Sequence, residues 1–137
     1  EGYRRAFHQF DIARVAGMED DELTALLDDS GIIRNRRKIW AIRANARAAL
    51  AVKEQQDLVD YLWRHVGGRT VQNSWCSAAD VPSMTDASER MSRDLKRRHF
   101  KFIGPTTCYA FMQSSGMVND HLVDCYRYEQ VQNVERD

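Results

Sequence analysis

The stretch KIWAIRANARAALAVKE, residues 38–54, constrains the fold more than any other. Ile39, Ile42, Ala46 and Leu50 recur at i, i+3, i+7 and i+11, so they share one face of a helix. Alanine, the strongest helix former, fills much of the rest. Other segments repeat the pattern. DDELTALLDDSGII places Leu23, Leu26 and Leu27 on one stripe, with Asp20, Asp21 and Glu22 at its N-terminal end. Gly31 is expected to cap its C-terminus. DLVDYLWRHV reads as a shorter amphipathic helix closed by Gly67 and Gly68. TDASERMSRDLKRRHF begins with a capping-box pattern, Asp86 followed by Glu89, and buries Met91 and Leu95. EGYRRAFHQF reads as helix with Tyr3, Phe7 and Phe10 on one side. Residues 69–82 read as a polar loop, and no stretch reads as a strand. The expected fold class is all-α, a single helical domain over residues 1–137.

The totals exclude little. Twenty basic residues balance twenty acidic ones, so net charge argues for neither a nucleic acid nor a membrane. No apolar run reaches the ~20 residues of a membrane span. Three cysteines, Cys76, Cys108 and Cys125, make no paired framework, which fits a reducing cytoplasm. Trp40, Trp63 and Trp75 are expected to pack, as are Tyr109 and Phe111. The run Arg34, Arg36, Arg37 and Lys38 is expected to be a solvent-facing loop.

LKRRHFKFIGPTTCYAFMQSSGMVNDH, residues 95–121, carries the most chemistry. A helix bearing Lys96, Arg97 and Arg98 runs into a short turn, FKFIG, and a new helix starts at Pro105, a favoured first-turn residue. A helix start has free N–H groups and a positive dipole end, which suit phosphate. Basic side chains around it attract the backbone of DNA without reading sequence. A basic turn of this kind is more often a solvated surface, and the residue types alone leave both readings open. Near the end, His121 and Cys125 stand four apart, the spacing of two metal ligands on one helical face. Zinc in a closed site takes four ligands, and no second pair with such spacing is present.

YRRAFHQFD, SGIIRNRRKIWAIRANARA, FKFIGPTTCYAFMQSSGMVNDH and HLVDC together resemble the DNA-3-methyladenine glycosylase I family, within the helix-hairpin-helix superfamily of DNA glycosylases. His99 departs from the family, which commonly has glycine there. The resemblance implies a helix-hairpin-helix glycosylase bundle that removes 3-methyladenine from alkylated duplex DNA. The nucleotide is flipped out of the helix and its N-glycosidic bond hydrolysed without strand cleavage. It assigns duplex binding to Lys96, Arg97, Lys101, Phe102, Ile103, Gly104, Thr106 and Thr107. It implies a structural zinc held by His121 and Cys125, with a cysteine and a histidine from an N-terminal segment. The family's base-recognising acidic residue and stacking aromatics belong to that segment, and none of those motifs occurs here. The chain is therefore expected to be an incomplete glycosylase domain whose catalytic residue is unknown. Asp120 is the nearest local candidate, with a structural role favoured for it. The expected protein is a cytoplasmic monomer. A non-catalytic DNA-binding module and a structural fragment awaiting a partner are the alternatives, separated from the first reading by base release.

Overall fold

The computed structural model describes residues 1–132 and is mostly helical. Helices α1 (Gly2–Ala6), α2 (Ile12–Gly17), α3 (Asp20–Ala25), α4 (Arg36–Lys53), α5 (Leu58–Trp63), α6 (Asp86–Arg97), α7 (Pro105–Ser114) and α8 (Tyr126–Gln132) follow one another. Two two-residue strands, β1 (Val71–Gln72) and β2 (Val118–Asn119), pair in parallel, with Val71 opposite Val118. Strands this short carry no alternation for a sequence to show. Among the described residues no helix is long and apolar enough to cross a membrane. The chain forms two compact units, residues 1–58 with 95–102, and residues 59–94 with 103 onward.

The first unit is organised by α4. Asn35 caps it, its side chain accepting from the Lys38 N–H at 3.2 Å. Arg36, Arg37 and Lys38 are thus the first helical turn rather than a loop, although all three are exposed as expected. Ile39 and Ala46 of α4 join Phe7, Val15, Ala16, Met18, Leu23 and Ile32 in one buried cluster. Two α4 arginines satisfy carbonyls that α2 leaves open at its end. Arg43 donates to Met18 O at 2.8 Å and Arg47 to Ala16 O at 2.8 Å. Arg43 also pairs with Asp20 at 2.6 Å.

Three further expectations fail in this unit. The opening helix stops after Ala6, because His8, Gln9 and Phe10 take left-handed backbone angles. Phe7 is buried, but Phe10 is turned outward and 47% exposed. Helix α3 ends at Ala25, well short of Gly31. Gly31 instead lies against α1, where a Cβ on Gly2 would meet the Gly31 carbonyl oxygen at 1.9 Å. The start of α3 carries a capping box of Glu19 and Glu22.

The second unit buries Tyr61, Met91, Cys108, Tyr109, Met112, Met117 and Val118. A short 3-10 turn continues α5 and ends at Gly67, whose φ of 73° is left-handed. The capping box of α6 sits one residue earlier than the sequence suggested: the Thr85 N–H donates to Ser88 Oγ at 2.9 Å and the Ser88 N–H to Thr85 Oγ1 at 3.4 Å. Glu89 pairs with Arg93 instead, at 3.4 Å. Ser88 is fully buried, so the cap that wins is the one also packed inside. Phe111 is 41% exposed and does not pack in the core, whereas Tyr109 does.

Candidate functional site

Helix α6 ends in a Schellman turn within the first unit. The Phe100 N–H donates to Leu95 O at 3.1 Å and the His99 N–H to Lys96 O at 3.0 Å. The residue between these bonds must be left-handed, and His99 has φ 68°. Glycine takes that angle without the Cβ clash that costs other residues. This explains physically why a glycine suits the position, and His99 fills it at a cost. Lys101 is fixed as well. The Lys101 N–H donates to Asn45 Oδ1 at 2.7 Å, and Asn45 Nδ2 donates to Lys101 O at 3.1 Å. One α4 side chain thus holds the Lys101 backbone at both its N–H and its carbonyl. Phe102 follows with φ 56° and is 52% exposed. Lys96, Arg97 and Lys101 are exposed. Arg98 is half-buried, reaching Gln55 at 3.1 Å.

In the second unit, Ile103 O accepts from the buried Ser92 hydroxyl at 2.6 Å. Gly104 is the N-cap of α7 and offers no side-chain acceptor, and Pro105 is the first helical residue. Thr106 and Thr107 are exposed at this uncapped start. The predicted duplex-binding residues therefore divide. Lys96, Arg97, Lys101 and Phe102 belong to the first unit; Ile103, Gly104, Thr106 and Thr107 belong to the second. The chain orders them consecutively from the end of α6 to the start of α7. Asn45 was not foreseen. Its signal was an asparagine in the middle of an alanine-rich helix, where its side chain competes with the backbone unless it is used elsewhere.

The first unit also carries a groove of ≈ 850 Å³ beside this turn. Trp40, Ala44, Ala48 and Ala51 of α4 give it an apolar floor, and Arg37 and Lys101 add positive charge. Arg36 covers the Trp40 ring at 4.1 Å.

His121 and Cys125 do come together, though not on a helix. They lie in the turn between β2 and α8, closed by the Cys125 N–H donating to Leu122 O at 2.9 Å. Cys125 Sγ stands 3.8 Å from His121 Nδ1. Two ligands of a tetrahedral zinc, at ~2.3 Å for sulfur and ~2.0 Å for nitrogen, stand ~3.5 Å apart. The pair therefore fits one edge of such a site. Among the described residues no cluster of three or more His, Cys, Asp or Glu side chains could complete it.

Asp120 is half-buried among polar contacts. Its Oδ1 accepts from Asn73 Nδ2 at 2.7 Å and Trp75 Nε1 at 2.8 Å; its Oδ2 accepts from the Tyr109 hydroxyl at 2.6 Å and Gln113 Nε2 at 2.9 Å. Burial alone would raise the carboxyl, but the four donors outweigh it and hold it below 3.8. In turn, burial and the adjacent carboxylate push the Tyr109 phenol far upward. A carboxylate with its acceptor sites so occupied is a poor base and a good brace. Trp75 is thus tied by its ring N–H rather than merely packed beneath its loop.

The chain as a whole is similar to known proteins. The methyladenine glycosylase family profile matches residues 1–128. DNA-3-methyladenine glycosylase 1 of Escherichia coli (strain K12) is 44% identical over 129 residues, covering 93% of this chain and 69% of the relative. A crystal structure of a 3-methyladenine DNA glycosylase I superposes with a TM-score of 0.88 at 44% identity, covering 90% of this chain and 69% of that one. A Staphylococcus aureus structure described as the basis of 3-methyladenine recognition gives a TM-score of 0.89 at 28% identity, with 98% and 70% covered. A family match over almost the whole described length, joined to a fold shared at 44% identity, places this chain among the methyladenine glycosylases, enzymes of DNA repair.

Proposed function

We propose that this chain provides the duplex-gripping and metal-tied parts of a glycosylase that hydrolyses the N-glycosidic bond of 3-methyladenine in alkylated DNA. The observation that carries duplex binding is the bare start of α7, with no side-chain cap from Gly104. Its first-turn N–H groups are free to take a phosphate oxygen. Within the other unit, Lys96, Arg97 and Lys101 are exposed cations that attract a phosphate backbone on their own account, and Asn45 fixes the Lys101 backbone. Such contacts position the protein without specifying sequence.

The chemistry asks little of a nucleophile. Alkylation at N3 makes the base cationic and a good leaving group. The enzyme has to extrude the nucleotide, hold the base, stabilise positive charge growing on the sugar and admit water. Strand cleavage by a glycosylase runs through a Schiff base on an amine, and a lysine that serves is activated by desolvation or by a neighbouring cation. All four lysines, Lys38, Lys53, Lys96 and Lys101, are exposed. None of these four is therefore a desolvated amine, in line with the strand-sparing chemistry that the family resemblance implies. The base-recognising acidic and aromatic residues are proposed to come from an N-terminal segment, as the family resemblance implies.

His121 and Cys125 are proposed as two ligands of a structural zinc, the other two again from that segment. The zinc would tie chain ends together and take no part in bond cleavage. The test is release of free 3-methyladenine from methylated duplex DNA, followed by a strand-integrity gel. Release with intact strands is expected from the chain joined to a family N-terminal segment; release accompanied by strand breaks would refute the monofunctional reading.

A further inference from the structure

We infer that Asn119 is a positioning residue that sets the separation of His121 and Cys125. This rests on the reading of those two as metal ligands. Asn119 ends β2 and is 1% exposed. A buried amide must find partners for its carbonyl and both N–H groups or lose free energy. Here its partners are the segments on either side of the ligand turn. Its Oδ1 accepts the His121 backbone N–H at 3.3 Å. Its Nδ2 donates to Tyr128 O, in the first turn of α8, at 3.0 Å, and to Gln72 Oε1 of β1 at 2.9 Å. The Tyr128 N–H in turn donates to Cys125 O at 2.9 Å. One buried side chain thus grips the backbone of the first ligand and the helical turn that follows the second. Asp120, braced by its four donors, fixes the residue between Asn119 and His121. Neither ligand lies in regular structure, so the 3.8 Å approach has no helix to enforce it. Preorganised ligands bind metal more tightly because less ordering is left to binding.

The test uses the 137-residue chain, Co²⁺ as the probe and the thiolate-to-cobalt absorption band as the readout. Asn119→Asp keeps the acceptor for the His121 N–H but removes both donated bonds. Its half-saturating Co²⁺ concentration should rise about tenfold or more, as for other supporting residues behind metal ligands. Far-UV circular dichroism checks that it is folded. Should Asn119→Asp fail to fold, Gln72→Ala decides: this exposed residue holds only one arm of Asn119, and its loss should weaken cobalt binding at least about twofold. Cys125→Ser should abolish the band. A folded Asn119→Asp chain, or failing that a Gln72→Ala chain, that titrates like the wild type while Cys125→Ser loses the band overturns the positioning role and leaves the ligand pair standing. Two ligands of four hold the ion weakly, so the titration is carried to millimolar Co²⁺; a wild-type chain that gives no band even there, or a band that survives Cys125→Ser, overturns the ligand pair and the inference with it.

Discussion

Removing the Asp120 carboxylate strands four donors, and they are not equal. Gln113 is exposed and can turn its amide to water. Tyr109 is buried, and Trp75 and Asn73 are half-buried. A buried donor left without an acceptor costs about 1–3 kcal/mol, and bonds to a charged acceptor are the stronger kind. Counting Tyr109 and Trp75 as fully stranded, Asp120→Ala should cost about 3–4 kcal/mol, near the upper end for single substitutions. Asp120→Asn keeps one acceptor oxygen, and Gln113 can reverse its amide, so about 1–2 kcal/mol is expected. Tyr109→Phe removes one donor and leaves three, for about 1 kcal/mol. Urea unfolding at neutral pH, followed by far-UV circular dichroism, reads all three. The pH dependence has a definite sign. The folded carboxyl lies below its ordinary value of 3.8, so its stabilisation is complete above that value. It is lost as pH falls through the folded value, and the gap between the wild type and Asp120→Asn should close there. Asp120→Ala within about 0.5 kcal/mol of the wild type would refute the brace. Asp120→Asn in the N-terminally extended protein, folded and stable but unable to release base, would show that the carboxylate is catalytic instead.

Charge removal at Lys101, or at Lys96 and Arg97 together, should weaken binding to all duplex sequences alike and reduce the slope of log K against log salt by about 1 for each phosphate no longer neutralised; fluorescence anisotropy across a salt series checks this, and an unchanged slope contradicts it. His99→Gly should stabilise the chain by about 1 kcal/mol in thermal or urea unfolding, because the Schellman turn demands a left-handed residue. His65 is buried beside Asp94, 3.5 Å away, with Arg64 and Arg90 nearby. Burial, opposed by Asp94 and assisted by the two arginines, lowers its pKa below 6.5. The fold therefore favours the neutral ring, and stability present above pH 6.5 should fall as the ring is forced to protonate. His65→Gln should lose that pH dependence, and an identical pH profile would contradict the assignment.

What the sequence made legible was what local chemistry decides. The apolar period of α4, the glycine end after α5 and the proline start of α7 all follow from residues near one another, and all appear in the structure. The misplacements came from competition between local options. Asp86 with Glu89 and Thr85 with Ser88 are both reasonable caps, and burial of Ser88 chose between them. Gly31 looked like a helix end because nothing in its neighbourhood shows that α1 packs against it. Of the candidate site, the charges and the His121–Cys125 spacing could be read in the sequence. Its supports were not. Asn45 reaches Lys101 across fifty-six positions, and Asn73 and Trp75 reach Asp120 across forty-seven and forty-five. No local pattern records such pairs.

Base release from alkylated duplex DNA tests the proposed function most directly. The chain alone and the chain joined to a family N-terminal segment should be compared for free 3-methyladenine, by chromatography, with the strands run on a denaturing gel. The extended protein should release the base and leave unbroken strands containing abasic sites, and the chain alone should release little. Turnover by the 137-residue chain equal to that of the extended protein would contradict the division of labour between this chain and an N-terminal base pocket, and an extended protein that binds duplex but releases no base would contradict the glycosylase assignment itself.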